Sequence, residues 1–196
     1  GDPVGYKRNA NNNGWVSVAD DTSSIKFSET DPTAANTMKT TNEELKQKGW
    51  IDDSDNLVVS DDPATNHDAA RAHLGAPWRM MTKADLDSLV ANCDVEWTNN
   101  WNNTNIKGKI VKGKGDYSAN SIFLPAAGFG NSSALALDGT DGYYWSSTPI
   151  STAYNNANYL HITKSEFKAT SGPRYPGYSV RAVRDTPPEP PVPTAS

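Results

Sequence analysis

The sequence contains one cysteine, three histidines and no long apolar run, and each shortage excludes a class of protein. Cys93 cannot form an internal disulfide, and one thiolate is too few for a zinc site of several cysteines or for a two-cysteine redox motif. No stretch approaches the roughly 20 apolar residues that cross a bilayer, so we expect no membrane insertion. With 196 residues, of which 36% are hydrophobic, the chain is still long enough to bury a core.

Positive charge is scarce as well. The chain has 18 basic and 23 acidic residues, a net charge of -5, so we expect no nucleic-acid partner. It has 6 tryptophans and 8 tyrosines, accompanied by abundant Asn, Ser, Thr and Gly. This balance is typical of loop-rich binding proteins outside the cell, in which aromatic rings are rigid contacts and small polar groups are adaptable ones. We therefore expect an extracellular or cell-surface location, although residues 1–3 show no part of a signal peptide.

Helix signals lie in the first half of the chain. Thr41 and Glu44 have the spacing of a capping box, which predicts a short helix that ends at Gly49. The segment from Asp68 to Gly75 has an acidic start, good helix formers and a terminal glycine, and these predict a second helix.

A third helix has the clearest pattern. Thr82 and Asp85 form another capping-box pair, and apolar residues then recur at helical spacing on one face. These residues are Leu86, Leu89, Val90 and Cys93. We interpret Cys93 as a small hydrophobe of this face, with a reactive thiol as the alternative.

After Asn92 the pattern changes to short strands separated by turn residues. The predicted strands are 95–98, 106–111, 121–124, 143–148, 158–163, 166–169 and 178–183. Helices followed by strands predict an α+β fold in which helices pack on a mostly antiparallel sheet. The chain divides into a polar N-terminal segment packed on the domain, 1–55, the domain itself, 56–185, and a proline-rich tail or linker, 186–196.

The predicted core draws on both halves of the domain. It comprises Trp78, Leu86, Leu89, Val90, Phe123, Leu124, Leu160, Ile162, Val180 and Val183. Arg79 and Arg181 are predicted to be buried or half-buried and to organise loop carbonyls, because a guanidinium offers five donors.

Residue patterns for metal binding or catalysis are sparse. His67 and His73 are spaced so that a helix would place them on different faces, and His161 is remote in sequence. The acidic positions 52, 53, 55, 61 and 62 offer oxygen ligands for calcium, but we interpret them as helix caps and solvated charges. The lysines between Ile106 and Tyr117 fit a hairpin with its charges in water. We predict no catalytic residue, no metal site and no cofactor.

The stretch from Tyr143 to Asp185 says most about function. Alternation places Leu160 and Ile162 in the core and leaves the opposite face of the same strand to solvent. We predict that this face and the adjoining loops bind a ligand, with ordinary solvated turns as the alternative. The predicted site residues are Trp145, Ser147, Tyr154, Asn155, Asn156, Asn158, Tyr159, His161, Ser165, Glu166 and Tyr175. Trp145 qualifies only if it is exposed, and is otherwise core.

Four motifs follow one another in the domain. They are Asp61-Asp-Pro-Ala-Thr65 leading to Gly75-Ala-Pro-Trp-Arg-Met80 and Thr82-Lys-Ala84, then Asn120-Ser-Ile-Phe-Leu-Pro-Ala-Ala-Gly128, Gly142-Tyr-Tyr-Trp-Ser-Ser-Thr148 and Gly177-Tyr-Ser-Val-Arg-Ala-Val-Arg184. In this order, over roughly residues 56–185, the chain resembles the Fibrobacter succinogenes major paralogous domain family. The resemblance implies a C-type-lectin-like fold, shared with formylglycine-generating enzymes, in a surface or secreted protein of gut-type bacteria.

At some positions this sequence differs from the family and from other proteins of the same fold, and these differences limit the functions that the resemblance implies. Met81 stands where the family usually has proline, but Thr82 can still cap the helix. Enzymes of the wider fold use two active-site cysteines, which Cys93 alone cannot supply. The calcium and sugar motifs of animal C-type lectins are also missing, so the fold name does not imply calcium-dependent sugar binding.

Some bacterial and phage proteins of this fold are diversified by retroelements that mutate adenines. Much of the segment 146–175 consists of residue types reachable from an Asn codon by such changes, although Lys164, Glu166 and Lys168 are not among them. The resemblance therefore adds the hypothesis that this region is a variable one.

Together these observations predict a non-catalytic ligand-binding or adhesion module of a bacterial or phage surface protein. Its partner is expected to be a protein or glycan on another cell or host surface. Two alternatives stay open. A formylglycine-generator-like or hydrolytic enzyme would have a perturbed carboxylate or histidine in a deep pocket, whereas a spacer domain of a surface fibre would have a self-complementary surface.

Overall fold

The computed structural model describes residues 6–8, 15–17, 42–47, 49–62, 66–131, 134–150, 156–173 and 176–184. The helices in these ranges are α1 (Asn42–Gln47), α2 (Ala69–Leu74) and α3 (Lys83–Asn92). The strands are β1 (Tyr6–Arg8), β2 (Trp15–Ser17), β3 (Trp78–Met80), β4 (Cys93–Thr98), β5 (Gly108–Gly113), β6 (Ser121–Pro125), β7 (Phe129–Asn131), β8 (Ala134–Ala136), β9 (Gly142–Pro149), β10 (Asn156–Ile162), β11 (Phe167–Pro173) and β12 (Ala182–Arg184).

The strands pair antiparallel, which together with the helices confirms the α+β class. They form several small sheets where the sequence predicted one. The strand orders are β1-β2, β12-β3, β4-β5-β6, β7-β8 and β11-β10-β9.

The predicted helices are present and end at the predicted glycines. Gly49 follows α1 with a φ of 68°, and its N–H donates to a carbonyl in the last turn of that helix at 2.8 Å. Asp68 caps α2 by accepting the N–H of Arg71 at 2.8 Å, and Gly75 closes the helix with a φ of 69°. The predicted cap of α1, Thr41, lies outside the described residues.

The predicted capping box of α3 is confirmed. Thr82 Oγ1 accepts the N–H of Asp85 at 3.1 Å, and Asp85 Oδ2 accepts the N–H of Thr82 at 2.8 Å. Leu86 is 0% exposed on the inner face of the helix. Leu89 and Val90 are partly buried members of that face, as the spacing predicted. Cys93 also packs against this cluster, but as the first residue of β4, so its predicted place in the helix is wrong.

Short strands account for most of the differences from the predicted elements. β3, β7 and β8 have three residues each, too few to show alternation in the sequence. Of the predicted strand 178–183, only its last two residues belong to β12, which pairs with β3 through Met80 and Ala182. Ser179 instead forms an isolated bridge with Tyr144. These contacts join segments that are distant in sequence, so local periodicity does not reveal them.

The sheet β11-β10-β9 has a hydrophobic cluster on each face. On one face, Leu160 and Ile162 are 0% exposed and pack with Leu86 of α3, as the alternation in β10 predicted. We call this group the α3 cluster. The opposite face carries Tyr143 and Trp145 of β9, and residues of α1, α2 and β3 cover it. The sheet is therefore enclosed from both sides.

Most predicted core residues lie in or against these clusters. Leu86, Leu124, Leu160 and Ile162 are buried, and Leu89, Val90, Val180 and Val183 are partly buried beside them. Trp78 and Phe123 are half-buried, and the guanidinium of Arg184 lies 5.5 Å from the Trp78 ring centre.

The two arginines predicted to organise loops behave differently. Arg79 is half-buried, as predicted, and donates to the carbonyl of Met80 in β3 at 3.0 Å and to Asp85 Oδ2 of α3 at 2.6 Å. Its acceptors thus lie on a strand and a helix, where loop carbonyls were predicted. Arg181 is exposed, so its prediction is wrong. Its neighbours Val180 and Ala182 pack against the core, and chain alternation then directs residue 181 to solvent.

The N-terminal segment contributes to the core at two points. Leu45 and Ile51 are 5% and 3% exposed and belong to the same cluster as Trp145. The proline-rich residues 186–196 lie outside the described ranges. Among the described helices, none has the length and apolar character that a membrane crossing requires.

Candidate functional site

The predicted solvent face of β10 is largely covered. Tyr159 pairs with Trp145 of β9, and His161 pairs with Tyr143, so four ring-bearing side chains share this side of the sheet. Tyr178 packs over these rings. The expectation that Tyr159 and His161 face open solvent is therefore wrong, because rings from distant segments close over them.

Five rings form what we call the aromatic cluster: Phe129, Tyr143, Trp145, Tyr159 and Tyr178. The centroid of Tyr178 lies 4.7 Å from that of Tyr143, 4.4 Å from that of Trp145 and 4.9 Å from that of Tyr159. Phe129 meets Tyr143 edge-on at 5.2 Å. Such pairs contribute about 0.5–1.5 kcal/mol each beyond area burial. The cluster makes this side of the sheet a rigid support.

Three predicted site residues lie in the interior. Trp145, Ser147 and Asn158 are 1%, 2% and 4% exposed, so they are not available as surface contacts. Trp145 thus fails the condition of exposure and is a core residue. The amide of Asn158 donates to the carbonyls of Thr148 at 2.9 Å and Pro149 at 3.3 Å. Asn158 therefore joins the last part of β9 to β10.

His161 lies between two carboxylates at the end of β10. Its Nε2 is 2.8 Å from Asp141 Oδ1, and its Nδ1 is 3.2 Å from Glu166 Oε2. The Tyr143 hydroxyl donates to the same Asp141 oxygen at 3.2 Å, and Lys168 Nζ donates to Glu166 Oε1 at 2.9 Å. The Lys168 ammonium lowers the pKa of Glu166, and burial raises the pKa of Tyr143. Both ring nitrogens of His161 therefore lie against carboxylate oxygens of this chain.

The predicted site residues divide between opposite ends of the sheet. Asn156 pairs with Pro173 at one end, and Ile162 pairs with Phe167 at the other, beside the exposed Ser165. The strand between Asn156 and Ile162 spans about 20 Å at the usual rise per residue. A small ligand cannot contact both ends, so these residues do not form one compact site.

Tyr154, Asn155 and Tyr175 lie outside the described residues. The strand ends that flank them are described and meet at one end of the sheet. Pro149 pairs with Ala157 of β10, and Asn156 pairs with Pro173. The connections that contain the three predicted residues therefore leave from the same end of the sheet.

Two of the acidic residues considered for calcium binding have other partners in the structure. Asp52 Oδ1 accepts the N–H groups of Ser54 and Asn56, both at 2.9 Å, which closes a turn. Asp55 pairs with Lys46 at 2.8 Å. Within the described ranges, no three His, Cys, Asp or Glu side chains have an arrangement that could hold a metal ion.

Lys109 departs from the predicted hairpin with solvated lysines. It is 4% exposed, because on β5 it lies on the same inner side as Val111. Its Nζ is 3.4 Å from the carbonyl of Lys164, and burial lowers its pKa. The turn between β10 and β11 is thus tied to the β4-β5-β6 sheet.

The turn between β4 and β5 was not among the predicted site residues. Residues 99–106, which we call the asparagine turn, hold Asn102, Asn103 and Asn105 at φ values of 47°, 60° and 59°. Asn tolerates this left-handed region better than most residues, but each position still costs of the order of 1 kcal/mol. Trp101 in this turn stacks on Phe123 of β6 at 4.5 Å and 5°. The signal in the sequence was the run Trp97-Thr-Asn-Asn-Trp-Asn-Asn-Thr-Asn105.

Comparisons with family models, curated proteins and solved structures find no match to this chain. The resemblance to the Fibrobacter succinogenes major paralogous domain family therefore stays a prediction. The motifs behind it do contact one another in the fold. β3 pairs with β12, Tyr144 bridges to Ser179, and the Ser147 N–H donates to the Met81 carbonyl at 2.7 Å.

Proposed function

We propose that this protein is a non-catalytic binding module displayed on or released from a bacterial or phage surface, with a protein or glycan of another cell as its ligand. The observation that carries the proposal is the meeting of Pro149, Asn156 and Pro173 at one end of a sheet enclosed by two clusters. Binding residues are commonly carried by loops that a rigid scaffold positions.

The connections that leave this end contain the residues suited to recognition. Tyr154 and Tyr175 supply rings with a polar hydroxyl, and Asn155 supplies an amide with two donors and an acceptor. Tyrosine gives large contact area at low conformational cost, and amides add directional hydrogen bonds. This site is smaller than the one expected from the sequence, because Trp145, Ser147 and Asn158 are interior.

The test is the double variant Tyr154→Ala and Tyr175→Ala, assayed for capture on arrays of glycans and extracellular proteins. We expect capture to be lost while the melting temperature stays near that of the parent. Tyr117→Ala is the matched control, because Tyr117 is 69% exposed in the separate turn between β5 and β6. A capture profile that the double variant leaves unchanged contradicts the proposed site.

The hypothesis of a retroelement-diversified region has its own test. Sequencing the DNA beside the gene should reveal a reverse transcriptase and a near-repeat of the region that encodes Tyr143 to Arg184. Absence of both removes diversification and leaves the binding proposal standing.

A further inference from the structure

Trp101 of the asparagine turn stacks on Phe123, and the Phe123 ring lies against the backbone of β5. A Cβ on Gly108 would lie 2.8 Å from the ring of Phe123, so that ring rests directly on the β5 backbone. Trp101 stacks nearly parallel on the Phe123 ring, with the centroids 4.5 Å apart, and is half-buried. Among the described rings, no further one stacks on Trp101. The indole thus stacks on a ring that itself lies against the β5 backbone, and it remains half-exposed.

Hydrogen bonds hold the turn around this indole in one conformation. The Trp101 N–H donates to the Ile106 carbonyl at 2.9 Å, and the Asn105 N–H donates to Asn100 Oδ1 at 2.8 Å. The Thr104 N–H returns to the Trp101 carbonyl at 2.9 Å. Because the turn is already ordered, a ligand that binds here loses little free energy in ordering it, which favours affinity.

The chemistry of the turn is neutral and rich in amides. Residues 99–106 include no charged side chain, and the side chains of Asn102 and Asn105 are exposed. An amide both donates and accepts hydrogen bonds, as a sugar hydroxyl does. Ile106, 47% exposed, adds apolar area beside them. The exposed Lys107, which joins the turn to β5, is the one cation of this connection, so a phosphate-bearing ligand would find a single positive charge there.

We propose that Trp101 and the amides of Asn102 and Asn105 form a binding site for a neutral oligosaccharide. The indole packs against the C–H face of a sugar ring, and the amides bond to its hydroxyl groups. This inference goes beyond the proposed function, because it assigns a second surface, at the turn between β4 and β5. A proline-rich peptide is the other ligand that packs on exposed aromatic rings, and it enters as an outcome of the test.

The experiment titrates the full chain, labelled with 15N at tryptophan, with neutral hexasaccharides of glucose, mannose and N-acetylglucosamine. We expect at least one of them to shift the indole resonance of Trp101, assigned from its loss in Trp101→Ala. The variant Trp101→Ala should weaken binding at least about tenfold. Trp101→Phe should retain part of the affinity, because a ring remains.

Replacing both Asn102 and Asn105 by glycine separates binding from folding. Glycine adopts the left-handed backbone without a side chain, so the turn keeps its shape while both amides are removed. We expect the double variant to keep the parent melting temperature and to lose at least about tenfold in affinity. Tyr117→Ala, exposed in another turn, should bind as the parent does.

Several results overturn the inference. These are failure of all three hexasaccharides to bind at millimolar concentration, unchanged binding in Trp101→Ala, and binding of a peptide of residues 186–196 in place of the sugars. If Tyr154→Ala with Tyr175→Ala abolishes sugar binding and the turn variants do not, the sugar site belongs to the proposed function instead. If the turn variants alone lose sugar binding, this inference holds whatever the fate of that function.

Discussion

Asp68 shows how one side chain joins segments that local sequence treats as separate. Its carboxylate is 0% exposed; Oδ1 accepts the Arg71 N–H and Oδ2 accepts the Met80 N–H, both at 2.8 Å. Burial raises the pKa of this carboxyl, and the backbone donors oppose that rise. The sequence identified Asp68 as a helix start, but its bond to Met80 of β3 depends on the fold.

Replacing Asp68 by Asn should destabilise the protein by about 1–3 kcal/mol, because an amide NH₂ would then face one of two buried donors. Urea unfolding of Asp68→Asn measures the change. Asp87→Asn is the matched control, since Asp87 is an exposed residue that pairs with Lys83 on the surface of α3. Equal stability of the two variants would show that the bond to Met80 contributes nothing.

At the scale of elements, the sequence best predicted those helices and strands whose signals lie within a few residues of one another. The capping boxes and terminal glycines act within a few residues, so α2 begins and ends, and α3 begins, where these signals indicated. The strands β4, β5, β6, β9, β10 and β11 correspond to strands predicted from short runs between turn residues, with ends shifted by a few residues. β3 and β12 do not, because each exists through pairing with the other across the domain.

The capping box of α3 should make stability depend on acid. Burial raises the pKa of Asp85, but hydrogen bonds from Arg79 and Thr82 outweigh it, so the net pKa lies below the ordinary value. A lowered pKa in the folded state adds stability above the unfolded pKa of about 3.9, and that stability is lost as pH falls through the lower folded value. Asp85→Asn should therefore be less stable than the parent at pH 7, with the difference shrinking below about pH 4.

Urea unfolding of parent and Asp85→Asn across that pH range tests the expectation. Asp87→Asn serves again as the control, because its ion pair with Lys83 is about half exposed. A difference between parent and Asp85→Asn that stays constant from neutral to acid pH would mean that the carboxylate charge is not what stabilises the cap.

At the scale of the molecule, the β11-β10-β9 sheet contributes residues to two hydrophobic clusters, one on each face. Tyr144 and Trp145 are adjacent in β9 yet belong to opposite clusters. The sequence predicted the α3 side correctly and mistook the other side for a solvent face, because Tyr159 and His161 look polar in isolation. The rings that cover them, Tyr143 and Tyr178, come from other segments. Composition alone does not distinguish a tyrosine-rich surface from a tyrosine-rich interior.

A shared sheet predicts that the two clusters unfold together. Leu86→Ala in the α3 cluster should cost about 2–5 kcal/mol, and Trp145→Ala in the opposite cluster about 3–5 kcal/mol. Each variant should still show coincident near- and far-ultraviolet circular dichroism transitions on heating. Leu74→Ala, the same change at a 56% exposed position, should cost little. Separate transitions for the two signals would show that the clusters are independent units.

The amide of Asn158, which bonds to the carbonyls of Thr148 and Pro149, has a practical consequence. It joins β10 to the end of β9, the two strands between which residues 150–155 run, and this joint does not depend on how many residues lie between them. Doubling the length of a flexible loop costs only about 0.6 kcal/mol in closure entropy. The position is therefore suited to accepting foreign peptide inserts, which would make this small domain a display scaffold.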